Sequence, residues 1–338
     1  MENQKAGFWY NESIKYVVDI MQIMSALLRH KRQRGQYYTL GNPFSLNPFQ
    51  EWAELIRLKQ RVVLEPFAGA NNIITLLSDA GYDNEFVSFD IHPTHFAVQK
   101  RDTIQDFPGG FSVAITNPPW LARNSATRRG LYFPNTVYDD LYKHCLQLML
   151  DNCDFVAALI PASFLQKDDL KNRLSYFIVL HDPMFSDTEN PVALALFGSS
   201  EESVRIYHNN SFVGNLSELK QFIPTTHGQS AVRFNAPEGE IGFIAFDNIR
   251  ERSIRFCEGE DLRRYVIKHT TRMITRIECD AGEHDIVALV HDLNNDINEF
   301  RDNTQDVFLT PFKGLRKDGM YRRRMEYSLA KKFILQYV

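Results

Sequence analysis

Hydrophobic positions along this chain alternate between helical and strand-like spacing. Ile14, Val17, Val18, Met21, Met24, Leu27 and Leu28 predict an amphipathic helix. Trp52, Leu55 and Ile56 predict a short helix before the apolar run 61–64. A small-residue turn, 65–71, leads to Ile73, Ile74, Leu76 and Leu77, again at helical spacing. Residues 86–91 read as a second strand, and Phe96, Ala97 and Lys100 as a short helix. Val113, Ala114 and Ile115 end a third strand, with too few residues for a helix. A helix marked by Leu141, Cys145, Leu148 and Met149 follows, then strands over 155–161, 192–197 and 204–207. Strands alternating with helices through short links predict a parallel sheet and an α/β fold of the Rossmann-like type. Beyond residue 215 the chain is more charged and less regular, so we expect domains at 1–215 and 216–338.

The polar residues that interrupt this pattern sit at strand ends. In open α/β sheets the carboxyl ends of strands are where ligands bind. The first strand empties into Glu65-Pro66-Phe67-Ala68-Gly69-Ala70-Asn71, where Gly69 lets a ligand approach the backbone. Only one glycine of a Gly-x-Gly pair remains, because Asn71 fills the second position. A carboxylate such as Glu65 repels a pyrophosphate and attracts a cationic amino acid moiety, which favours S-adenosylmethionine over a dinucleotide. Asp90 ends the second strand about 20 residues past the glycine, where such folds pair an acid with ribose hydroxyls; a helix cap is the alternative. The third strand runs into Asn117-Pro118-Pro119-Trp120. The prolines forbid both a ladder hydrogen bond and a helical turn, so the chain leaves the sheet rigidly. Asn117 and the carbonyls near it can then hold an exocyclic amine beside the Trp120 ring, although Pro-Pro with a core indole is the plainer reading.

Bulk properties narrow the picture. A chain of 338 residues has room for a large core and a second domain. Cys145, Cys153, Cys257 and Cys279 show no metal-ligand spacing and read as reduced thiols of a cytoplasmic protein, without zinc or disulfides. No secretory signal or membrane-length apolar run is visible. The net charge of -4 decides nothing about nucleic acid, because distribution matters more than the sum. Residues 123–130 read as an exposed, basic, polar loop able to touch phosphates. The end of the chain is strongly basic: Lys313, Arg316, Lys317, Arg322, Arg323, Arg324, Lys331 and Lys332, with Tyr321 and Tyr327 among them. Basic residues interleaved with aromatics are a footprint of nucleic-acid binding; a solvated helix face would look similar.

Together these stretches resemble the amino-methylating DNA methyltransferases of the gamma arrangement. Arg34-Gly35-Gln36-Tyr37-Tyr38-Thr39 resembles their leading cofactor motif, which implies that Tyr37, Tyr38 and Thr39 flank S-adenosylmethionine. Glu65-Pro66-Phe67-Ala68-Gly69 resembles the methionine-binding loop, and Asp90-Ile91 the pair that meets ribose and adenine. Asp102, followed by Thr103, resembles the acid near the adenine amine. Asn117-Pro118-Pro119-Trp120 falls on the catalytic motif, Ile160-Pro161 on the strand end after it, and Phe197 where the family has an aromatic against the flipped base.

The resemblance spans roughly residues 30–210. It implies methyl transfer to adenine N6 in double-stranded DNA by base flipping, a C-terminal target-recognition domain, and a possible cognate restriction endonuclease as partner. Cytosine members of the family usually carry Ser in place of Asn117, which favours adenine. For Phe197 the alternative is a core ring. Methylation of ribosomal RNA or a protein glutamine, or a non-catalytic DNA-binding subunit, are the rival functions.

Overall fold

The computed structural model describes residues 42–166, 170–181, 184, 190–198, 203–226, 230–268, 270–279 and 285–338. The helix expected over Ile14 to Leu28 and the turn bearing Tyr37, Tyr38 and Thr39 lie outside the described residues. Density of contact divides the described chain into two units. One holds Val62–Cys153 with Met184, and the other holds Asn42–Arg61 with the remaining described residues of 154–338.

In the first unit, β1 (Val63–Glu65) pairs in parallel with both β2 (Phe86–Asp90) and β4 (Val113–Thr116). β3 (Gln99–Lys100) joins the far side of β2, giving the order β3-β2-β1-β4. Every residue of β1 and β4 is buried, which is why both read as continuous apolar runs without alternation. The helix Asn72–Asp79 follows β1 and buries Ile73, Ile74 and Leu77.

Two local expectations are corrected here. Phe96 is wholly exposed and begins no helix; Gln99 and Lys100 instead pair with β2, and Val98 supplies the apolar anchor beside them. The polar stretch 123–130 is not a loop but the helix Arg123–Arg129, closed by Gly130 in the left-handed region. That helix is held by the buried Ala126 and by Arg123, whose guanidinium donates to the carbonyls of Thr136 and Tyr138.

In the second unit, β5 (Phe155–Pro161), β6 (Leu174–Leu180), β7 (Val192–Phe197), β8 (Arg205–His208) and β9 (Ser211–Asn215) follow the order β5-β7-β6-β8-β9. β7 runs antiparallel to β5 and β6, and β8 runs parallel to β6. The parallel pairings and the helices between them are the α/β, Rossmann-like arrangement that the periodicity predicts.

Residues beyond 215 are more regular than the sequence suggests. β10 (Val232–Phe234), β11 (Ile241–Ile244), β12 (Arg255–Glu258) and β13 (Ile274–Cys279) form an antiparallel sheet. A helix, Ile286–Thr304, packs Leu293, Ile297 and Phe300 into the same core as Phe243, Phe256 and Ile277. The hairpin β14 (Thr310–Leu315) and β15 (Tyr321–Arg324) and the helix Tyr327–Ile334 complete it. Most of these strands bury only alternate or occasional residues, so no apolar run announces them. β9 ends at the expected boundary of 215, while density of contact keeps 154–215 with the residues after it.

Candidate functional site

The turn after β1 is built around two acids. Glu65 ends β1 and is 1% exposed; the Thr116 hydroxyl at the end of β4 donates to its Oε1 at 3.0 Å. Its other oxygen, Oε2, is buried with no hydrogen-bond partner. Burial pushes the Glu65 carboxyl well above the usual range; the Thr116 bond opposes this and the Asp90 charge adds to it.

Asp90, at the end of β2, accepts from Gly69 N through Oδ2 at 2.8 Å and from His92 N through Oδ1 at 2.7 Å. It therefore caps no helix; it fastens the glycine turn to the neighbouring strand. Gly69 sits at φ +51°, where an L side chain is strained, and a Cβ there would meet only Asp90 Oδ2 at 3.9 Å. Asn71 takes the left-handed conformation a second glycine would otherwise supply, with φ 65°. Its Oδ1 accepts from Ser88 Oγ of β2 at 2.8 Å, so the departure from Gly-x-Gly leaves the turn intact.

The remaining expected cofactor residues divide by what they touch. Pro66 and Ala68 are buried, and Ala68 N donates to Phe89 O at 2.9 Å. Thr103 donates to Pro66 O at 2.8 Å and so pins the turn from below. Phe67 packs against the cluster of Leu121, Ala126, Leu141 and Cys145. Asp102 accepts from Ile104 N and Gln105 N, closing its own turn. Ile91, just past Asp90, is a large exposed apolar side chain, available to a flat ring.

Asn117, Pro118, Pro119 and Trp120 leave β4 directly after Thr116, so Asn117 departs the sheet beside Glu65. Asn117 and Pro119 are half-buried and Pro118 is buried. Trp120 is 8% exposed, which leaves at most a rim of the residue for a base to touch. The next peptide is held by a residue that the sequence reading passed over. Asp140 accepts from Leu121 N at 3.0 Å while capping the helix Leu141–Asn152 at Tyr142 N. Burial raises the Asp140 carboxyl to about 6; hydrogen bonds from Tyr142 and Leu121 oppose this. An acid before a helical run is a legible cap, but its hold on residue 121 is not.

Phe197 does not fit its expected place against a flipped base. It is fully buried, with its ring edge-on to Phe164 at 6.4 Å. Because β7 is antiparallel, Phe197 pairs with Val156 near the start of β5, whereas Val192 pairs with Pro161 at the carboxyl end. Leu180, which pairs with Val192, lies at that same end. Phe197 is a core ring.

The basic C-terminal segment is also corrected. Arg316 and Arg323 are buried, not displayed. Arg316 donates to Asp247 Oδ2 at 2.9 Å and to Asp318 Oδ2 at 2.8 Å. Arg301 forks onto Asp247 at 2.9 and 2.8 Å and onto Asp306 at 2.7 and 2.9 Å. Burial pushes Asp247 and Asp306 up, yet the Arg301 hydrogen bonds and charge outweigh it and hold both below the usual range. Arg322 donates to Asp247 O at 2.8 Å and lies over the Phe312 ring, and Arg324 pairs with Glu326. The exposed cations of the segment are Lys313, Lys317 and Lys332. Among the described residues no group of three or more His, Cys, Asp or Glu could hold a metal ion, and no helix is long and apolar enough to cross a membrane.

No protein-family model matches the chain, and no curated protein does. Solved structures do, at low similarity. The M protein of the type I restriction enzyme EcoKI is 12% identical over 80% of this chain and 72% of its own, with a TM-score of 0.37. A type I restriction-modification methyltransferase subunit from Streptococcus thermophilus is 12% identical over 55% of this chain and 51% of its own, with a TM-score of 0.36. The type IIL restriction-modification enzyme MmeI, solved with DNA, is 10% identical over 78% of this chain and 50% of its own, with a TM-score of 0.36. The chain spans about half the length of the last two, and 66%, 53% and 49% of three further structures it matches.

Proposed function

We propose that this chain is an S-adenosylmethionine-dependent DNA methyltransferase acting on adenine N6, the modification activity of a restriction-modification system. The observation that carries the reading is Glu65: a buried carboxylate at the end of the central strand, with one oxygen left without a partner beside a glycine turn. An orphaned buried acceptor is costly unless something supplies the missing donor. A pyrophosphate cannot supply it, and the ammonium of a bound amino acid moiety can. Asp90 fits the same ligand, because each of its oxygens accepts one backbone hydrogen bond and keeps a lone pair for a ribose hydroxyl. S-adenosylmethionine, when bound, supplies an electrophilic methyl group on sulfonium sulfur.

The residues of the chain then account for the rest of the chemistry. Adenine N6 is a weak nucleophile because its lone pair is delocalised into the ring. The Asn117 side-chain carbonyl and the Pro118 backbone carbonyl each accept one amino hydrogen, which favours a pyramidal nitrogen. The Asp140 tether to Leu121 N and the two prolines fix that pair of acceptors in space; positioning of this kind can supply ~7–11 kcal/mol. No strong general base is needed, since the methylated ammonium is acidic. A base in a duplex is out of reach of such a site and has to be extruded.

Isothermal titration calorimetry with S-adenosylmethionine is the direct test. Wild type is expected to bind with release of a proton, because a cation beside Glu65 lowers its raised pKa; Glu65→Gln is expected to bind weakly and release none. Sequencing of methylated bases in duplex DNA treated with the chain should show N6-methyladenine at one recognition site. Binding without DNA methylation, but with methylation of ribosomal RNA, would overturn the substrate and leave the cofactor reading standing.

A further inference from the structure

The chain that follows Asn117-Pro118-Pro119-Trp120 makes a closed excursion inside the first unit. It leaves at Leu121 and returns at Leu141, and its two ends are fastened together. Ala122 bridges to Asp140, Arg123 N donates to Asp139 O at 2.8 Å, and Leu141 N donates to Leu121 O at 3.0 Å. Its inner side is anchored to the glycine turn. Leu121, Ala126, Leu141 and Cys145 form one buried cluster, and Phe67 of that turn packs against it together with Leu131 and Phe133 of the excursion. The excursion therefore stands beside both the Asn-Pro-Pro-Trp exit and the turn that bears Gly69.

Its arginines serve two different ends. Arg123 works inside: it donates to the carbonyls of Thr136 and Tyr138 and lies over the Phe133 ring, 4.6 Å from its centroid. Arg128 and Arg129, in the last turn of the helix, are exposed. Arg128 stands about 200° around the helix from the buried Ala126, so it points outward. Its Nε donates back along the helix to Asn124 O at 3.4 Å, and among the described residues no carboxylate pairs with it. The stretch 107–138 holds Arg123, Arg128 and Arg129 but no Asp or Glu. The acids at the base of the excursion are engaged, Asp139 by Lys143 at 2.8 Å and Asp140 by Leu121 N at 3.0 Å. Tyr132, 74% exposed, and Val137, 93% exposed, leave a ring and an apolar side chain uncovered on the same excursion.

We propose that this excursion holds the backbone of the DNA strand that carries the target base, with Arg128 and Arg129 on phosphates near the extruded nucleotide. The inference rests on the DNA reading above. Charge complementarity selects the partner, because exposed cations with an aromatic and no acid among them suit a nucleic-acid backbone. Reach sets the place: along extended chain and helix, Arg128 stands at most ~18 Å from Trp120, about five nucleotides of one strand. Phosphates held by an element so firmly tied to Leu121 would fix the register of the strand against Asn117.

The salt dependence of duplex DNA binding by the full chain tests this. Arg128→Ala with Arg129→Ala should flatten the slope by about two units, roughly one for each lost phosphate contact. Its Tm and S-adenosylmethionine affinity should match wild type. Arg128→Lys with Arg129→Lys keeps both charges and should restore the slope. On duplexes whose phosphates within about five nucleotides of the methylated adenine are replaced by neutral methylphosphonates, wild type should lose affinity and the alanine pair should not. If wild type methylates duplex DNA and the alanine pair keeps its slope, this proposal falls and the DNA reading stands. A wild type that binds no duplex overturns both.

Discussion

Two charged stretches of this chain look equally eligible for ligands, and the fold treats them in opposite ways. The acids Glu65 and Asp90 stand at the ends of adjacent parallel strands, one with an oxygen unused and the other with one oxygen on the Gly69 amide of the glycine turn and one on the His92 amide. The arginines of the C-terminal segment instead turn inward. Arg316 and Arg323 are buried near Asp247, a residue about 70 positions earlier, and Arg322 and Arg324 are half-covered by ring, carbonyl and carboxylate partners. A run of arginines is therefore a poor guide to a nucleic-acid surface when buried acids elsewhere can claim it. Glu65 and Asp90, by contrast, are buried beside a glycine turn and pair with no cation among the described residues.

The largest effect that would break the comparison is on stability. Asp247→Ala strips Arg301 and Arg316 of a shared counter-charge and is expected to cost ~3–5 kcal/mol in urea unfolding. Asp90→Ala frees only the Gly69 and His92 amides and should cost less stability than Asp247→Ala by the same measurement, while losing roughly 1.5–3 kcal/mol of S-adenosylmethionine affinity, the worth of a charge-assisted hydrogen bond. Equal effects of the two variants on stability would erase the distinction between a ligand-facing acid and a structural one.

A smaller effect concerns Asp140, whose carboxyl is raised to about 6 in the folded chain. The folded state holds this proton more tightly than the unfolded one, so stability falls as pH rises from about 4 to 6. Asp140→Asn keeps an acceptor for Leu121 N and removes the charge. It is expected to unfold later than wild type at pH 7 by about 1–2 kcal/mol, discounted for partial exposure, with no gain at pH 4. The smallest effect sharpens the comparison from the other side. Arg322→Ala with Arg324→Ala should change the salt slope of duplex DNA binding by less than about one unit, whereas two phosphate contacts would remove about two.

Legibility varied along the chain for physical reasons. β4 and β5 were readable because strands buried on both faces demand nearly unbroken apolar runs. β6, Leu174–Leu180, is as apolar as its neighbours but carries Ser175 and Tyr176, and it passed unnoticed. Phe197 ends a legible strand, yet no pattern states a strand's direction; only pairing with β5 shows which end of the sheet it reaches. Past 215, β10, β12 and β13 each bury too few residues to be seen one at a time, and β11 is only four residues long.

By itself the sequence determined which segments enter the sheet and which residues stand at their ends, because periodicity, prolines and a lone glycine act over a few neighbouring residues. Glu65, Gly69, Asp90 and Asn117 were found in that way. Tertiary structure alone decided what those residues meet. Thr116 bonds Glu65 across 51 positions, Asp140 holds Leu121 across 19, and Asp247 reaches Arg323 across 76. Whether a charge faces solvent, a ligand or another charge depends on such distant partners, since burying it is tolerable only where they compensate it.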